Sequence, residues 1–117
     1  MASTRQEKVK ELLKLEISDI IRREINDPRL GFVTVTDADV SPDLKYAKVF
    51  VSAMGNASQQ LDSLKTLHKA TGFIRAEFAK RVNMKITPEI VFLEDTAIEQ
   101  GARIFELLEQ IKKQDGE

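Results

Sequence analysis

"HKATGFIR", His68 to Arg75, lies within a run whose apolar residues recur every three or four positions, yet its centre holds a glycine. Inside a helix that glycine costs about 1 kcal/mol relative to alanine. It supplies either a backbone conformation that other residues adopt only at a cost, or a spot where another molecule approaches the chain closely. Reading Gly72 as a junction gives two helices, "SQQLDSLKTLHKA" over 58–70 and "GFIRAEFAKRV" over 72–82. Leu61, Leu64 and Leu67 then form the inner edge of the first, and Ile74, Phe78 and Val82, spaced by four, that of the second. Asn56 with Gln59 is placed to cap the start.

Upstream, Val9, Leu12, Leu13, Ile17, Ile20, Ile21 and Ile25 recur at helical spacing and form one apolar stripe. Ser3 with Gln6 offers a capping box, and "NDPRLG" at 26–31 ends the helix. Lys8, Leu15 and Arg22 fall on its far, solvent side. "FVTVTDADV" and "KYAKVFVSA" then switch to alternation rich in β-branched and aromatic residues. "SPDL" between them places a proline at the second position of a turn, which predicts an antiparallel hairpin. Downstream, "EIVFLED" at 89–95 follows Pro88 and reads as a third strand covered by helices on one side. "TAIEQGARIFELLEQIKK" reads as a C-terminal helix over 96–113, opened by a Thr96 to Glu99 box, with a frayed tail at 114–117.

These elements predict one α+β domain over residues 1–117, its core at about 4–95, with a three-stranded sheet and the helices gathered on one face. A chain of 117 residues can bury such a core without staples. With 42% hydrophobic and 32% charged residues it is an ordinary globular composition. The absence of cysteine excludes a disulfide framework, a thiol nucleophile and a thiolate metal site. No apolar run approaches a membrane span or a signal-peptide core, so a cytoplasmic location is expected.

The net charge of −1 hides a polarised chain. Residues 1–85 carry 15 Lys and Arg against 11 Asp and Glu, or +4; residues 86–117 carry 3 against 8, or −5. Between Lys65 and Lys85 stand six cations and a single acid, Glu77, and this segment surrounds the glycine.

Enzymatic readings find little support. His68, the one histidine, falls at the edge of the leucine sector and reads as a structurally satisfied imidazole. Asp37, Asp39 and Asp43 flank a Ser-Pro turn, where aspartates favour local hydrogen bonds, so they are read as turn residues and no metal is expected. Phosphate-binding loops, nucleophile elbows and dinucleotide fingerprints are missing, and no cofactor or small-molecule substrate is implied.

What remains is a helix–glycine–helix element in a one-signed patch. A second helix starting after Gly72 would turn its free N–H groups and positive dipole end outward, ready for a phosphate. Lys69, Arg75, Lys80, Arg81 and Lys85 are the cations placed to surround that point, with Lys8, Arg22, Lys45 and Lys48 as further candidates. Contacts of this kind give affinity with little sequence information. On the alternative reading, Gly72 only lets two helices pack at a sharp angle and the cations form a solvated face.

Four pieces, "INDPRLGFVTV" at 25–35, "VSPDLKYAKVFVS" at 40–52, "HKATGFIR" at 68–75 and "TPEIVFLED" at 87–95, together resemble the ribosome-binding factor A family over nearly the whole chain. That resemblance implies a type II K-homology-like fold, α-β-β-α-kink-α-β, with an interhelical Ala-x-Gly kink filled here by Ala70, Thr71 and Gly72. It also implies a monomeric, non-enzymatic assembly factor that binds the immature small ribosomal subunit and its ribosomal RNA. Such a factor promotes late maturation of the 5′ region of that RNA and matters for growth in the cold. Since a four-residue GXXG clamp is absent, broad electrostatic docking on structured RNA is expected. The competing expectation is a protein-interaction module that docks a partner through its sheet face or its C-terminal amphipathic helix.

Overall fold

The computed structural model of the chain describes residues 3–95. The elements are α1 (Thr4–Glu24), β1 (Val33–Val40), β2 (Tyr46–Ala53), α2 (Ala57–Arg81) and β3 (Glu89–Glu94). The C-terminal helix expected at 96–113, its Thr96 cap and the tail at 114–117 lie outside the described residues.

Helix α1 starts where expected. Ser3 accepts from the Gln6 backbone N–H at 3.1 Å while the Gln6 side chain accepts from the Ser3 N–H at 2.8 Å. The Gln6 amide also donates to the Val40 carbonyl at 2.9 Å, tying the helix start to the end of β1. Its stripe buries Val9, Leu13, Ile17, Ile20 and Ile21, with Leu12 and Ile25 packed at the margin.

The hairpin is antiparallel, running in register from Val33 opposite Ala53 to Val40 opposite Ala47, with an irregularity between Val35 and Asp37. Its turn is tight: the Leu44 N–H donates to the Ser41 carbonyl at 2.9 Å, and Leu44 sits in the left-handed region at φ 62°. Strand β3 adds beside β2 in parallel, giving the order β1-β2-β3 in a mixed sheet. Alternation then sorts the side chains. Ala38, Val40, Ala47, Val49, Val51, Ile90 and Phe92 point into the core beneath both helices, where Phe78, Ile74 and Leu67 meet them. The opposite face is open, exposing Tyr46 (59%) and Val91 (52%).

Helix α2 revises the sequence reading at its most distinctive point. Two helices joined at Gly72 were expected, but one helix of 25 residues runs from Ala57 to Arg81. The expected Asn56–Gln59 capping box opens it, and Gly72 has a helical, not left-handed, backbone. The cost of one helical glycine is small beside the burial on either side, since Leu67, Ile74 and Phe78 are all fully buried. The N-terminal half also packs through a different edge. Ser63, Thr66 and Leu67 are buried, Leu64 is half-buried, and Leu61 faces solvent. Ser63 is buried because its hydroxyl accepts from the Gly31 N–H at 3.0 Å, pinning the α1–β1 connection to α2.

Candidate nucleic-acid interface

The ends of "HKATGFIR" are both spent on β3 and the segment that leads into it. The His68 Nε2 atom lies 2.9 Å from the Phe92 carbonyl oxygen, and since a carbonyl can only accept, Nε2 carries the proton. Two turns later Arg75 donates from Nε to the Pro88 carbonyl at 3.0 Å and from Nη2 to the Thr87 carbonyl at 2.7 Å. One side of α2 thus satisfies the Phe92 carbonyl of edge strand β3 and two carbonyls of the segment leading into it. His68 is structurally satisfied, as its position implied.

Between these two clamps the helix is bare. Gly72 is exposed, and a β-carbon placed there would meet nothing within 4 Å. Thr71 folds its hydroxyl back onto the Leu67 carbonyl at 2.9 Å, so it offers no donor outward. Because helical bonding continues through this point, the free N–H groups and dipole end expected of a second helix are not available. Any approach here must use side-chain charge and steric openness.

The cations divide into committed and free. Arg81 closes a network on α1, with Nη1 at 2.6 Å from Asp19 and 3.3 Å from Glu16, and Nη2 at 3.8 Å from Glu24. The Arg81 hydrogen bond is the main cause that holds the Asp19 carboxyl below the ordinary carboxylate range, and Asp19 in turn raises Arg81. Arg22 also pairs with Asp19, at 3.0 Å, and Lys80 with Glu77, at 3.3 Å. Among the described residues, Arg5, Lys8, Lys45, Lys48, Lys65, Lys69 and Lys85 enter no side-chain hydrogen bond or ion pair. Lys69 still lies near enough to Asp27 to help Arg29, the larger influence, keep that carboxyl low.

The structure therefore brings Lys65, Lys69 and Gly72 together on the exposed side of α2 and sends the other candidates elsewhere. Arg81 lies nine residues beyond Gly72, ~14 Å along the axis. Lys8 and Lys85 meet at a groove formed by α1, the hairpin turn and the segment after α2. Lys48 stands on the open sheet face, in register with Val91. Sequence reasoning missed Phe73, which is 46% exposed beside Lys69 and Gly72, off the Leu67–Ile74–Phe78 stripe. It also missed Ala76 and Ala79, which keep the same surface low. Asp37 and Asp43 take local hydrogen bonds, from the Ala38 N–H and from Ser41 and Lys45. Among the described residues, His, Asp and Glu side chains form no group able to hold a metal ion.

Comparison with known proteins bears on the family and the fold. A family model described as ribosome-binding factor A matches residues 5–108. Ribosome-binding factor A of Natranaerobius thermophilus is 55% identical over 111 residues, covering 95% of this chain and 85% of the relative. The crystal structure of the Thermus thermophilus protein of that name superposes with a TM-score of 0.67 at 28% identity, covering 76% of this chain and 94% of that one. A homology model of that Thermus protein, fitted into a cryo-EM map of its complex with the 30S subunit, gives 0.64 at 30% identity, covering 74% and 91%. With the family model spanning residues 5–108 and a relative 55% identical over 95% of this chain, the chain belongs to the ribosome-binding factor A family.

Proposed function

We propose that this chain is a non-catalytic assembly factor that docks on the small ribosomal subunit by gripping its RNA with the exposed side of α2. The observation that carries the proposal is the strip formed by Lys65, Lys69, Gly72, Phe73 and Ala76. It joins two unpaired ammonium groups, an exposed ring and a stretch of backbone with almost no side-chain cover. Lysines supply counter-charge to phosphates. Phe73 supplies a face for a base or sugar, and the bare backbone lets a bulky polyanion come close. The Thermus relative fitted to a 30S map supports the choice of partner.

Family membership supports a finer reading that we also propose: binding to immature subunits as a monomer in the cytoplasm and promoting late maturation of the 5′ region of the RNA, with most effect in the cold. Arg75 and Arg81 serve mainly to hold β3 and α1 in place, and so present the strip. Co-sedimentation of purified immature subunits with the Lys65→Glu/Lys69→Glu variant tests the reading. Loss of binding with an unchanged circular dichroism spectrum supports it, and retained binding refutes it.

One observation favours a protein partner as a second reading. On the open sheet face Val91 and Leu93 lie in register with Lys48 and Phe50, beside the exposed Tyr46. A partner bound there would show little salt dependence, whereas docking on RNA phosphates weakens steeply as salt rises.

A further inference from the structure

At the end of the molecule away from the α1–β1 connection, three segments distant in sequence enclose a groove of about 400 Å³. Arg5 and Lys8 come from the first turns of α1, Leu44 from the hairpin turn, and Met84, Lys85 and Ile86 from the segment after α2. Among the described residues all three cations are free of ion pairs. The single acid on the wall, Asp43, is already engaged by the Ser41 hydroxyl at 2.6 Å and the Lys45 N–H at 3.0 Å, with the Ser41 bond the larger cause of its lowered pKa.

The floor is apolar. Val9 is buried, Leu44 and Met84 are half-buried against the core, and Ile86 is 56% exposed. Leu44 holds its place from a left-handed backbone, a conformation that costs a non-glycine residue about 1–2 kcal/mol. Strain of this kind persists only where the surroundings fix it, and it clusters at binding sites.

We infer that this groove receives one unpaired nucleotide of a single-stranded RNA segment, with its phosphates between Arg5, Lys8 and Lys85 and its base on Met84 and Ile86. The volume lies in the range of pockets that hold small ligands. An acidic peptide would match the charge but leave the apolar floor uncovered, whereas a nucleotide carries one charge beside one flat ring. The inference rests on the RNA-binding role proposed above, and it differs from the α2 strip in requiring an unstacked base. Both contacts on one RNA would reinforce each other through effective concentration.

The test uses the full chain, a single-stranded hexauridylate, and methyl resonances of Met84 and Ile86 followed by NMR. Titration is expected to shift both residues, and Lys8→Ala/Lys85→Ala should lower the salt slope of oligonucleotide binding by about 1.4, two contacts at ~0.7 each. Ile86→Ser should weaken binding without changing that slope. The Lys65→Glu/Lys69→Glu variant should keep the groove shifts, so a failure of the α2 strip and a failure of the groove read differently. Absence of shifts at Met84 and Ile86, or equal shifts with a hexaglutamate peptide, would overturn the inference.

Discussion

Replacing Gly72 by alanine separates the two roles that a glycine can have in this position. Its backbone is helical and its missing β-carbon faces open space, so the added methyl meets no steric obstacle. Helix propensity alone then predicts a gain of about 1 kcal/mol, which for a domain of this size raises the melting temperature by about 4 °C. The same methyl stands on the docking strip, where it holds a phosphate backbone away from the helix. The Gly72→Ala protein should therefore be more stable and bind small subunits less well, a trade familiar where a local weakness serves function. Thermal denaturation followed by circular dichroism reads the first effect, and co-sedimentation at constant salt reads the second. A lower melting temperature would refute the continuous helix through residue 72. Unchanged affinity would remove Gly72 from the interface.

Three further perturbations probe the frame that presents the strip. Ser63→Ala leaves the Gly31 N–H without its buried acceptor and should cost about 1–3 kcal/mol in urea unfolding; a neutral result would show that the connection finds another partner. Arg75→Gln removes charge-assisted donors from the Thr87 and Pro88 carbonyls and should cost about 1.5 kcal/mol, with faster amide exchange in β3; unchanged exchange would remove the residue from its edge-holding role. Asp19, Asp27, Asp37 and Asp43 all have lowered carboxyl pKa values, caused chiefly by Arg81, Arg29, the Ala38 N–H and Ser41 respectively. A depressed folded value means that their stabilisation is complete above the unfolded value of about 3.9 and is lost as pH falls through the folded values. Urea midpoints measured from pH 7 downward should stay level to about pH 5 and then drop; a flat profile to pH 3 would contradict these pairings.

Much of the frame could be read from residue spacing because it is local. The α1 stripe, the Ser3–Gln6 and Asn56–Gln59 capping boxes and the alternating strands depend on neighbours within a few residues, and each stands where the spacing put it. Gly72 misled because a single residue's propensity is weaker than the burial of Leu67, Ile74 and Phe78 around it. Leu61 and Ser63 exchanged places for a tertiary reason, since the partner of Ser63 is Gly31, 32 residues away in sequence. The site was legible only in part for the same reason. Charge along the chain located Lys69 and Gly72, but the carboxylates that occupy Arg81 lie on another helix, and the carbonyls held by Arg75 lie on the approach to β3. The groove at Arg5, Lys8 and Lys85 draws on three separate segments, so no linear pattern announces it.

The most direct measurement is the dependence of small-subunit affinity on salt concentration for the native chain and for Lys65→Ala/Lys69→Ala. The native chain should show a steep fall in log K with log salt, and the double variant a slope smaller in magnitude by about 1.4–1.8, as expected for two lost phosphate contacts. Equal slopes for the two proteins, or a native slope near zero, would contradict docking on RNA through the exposed side of α2.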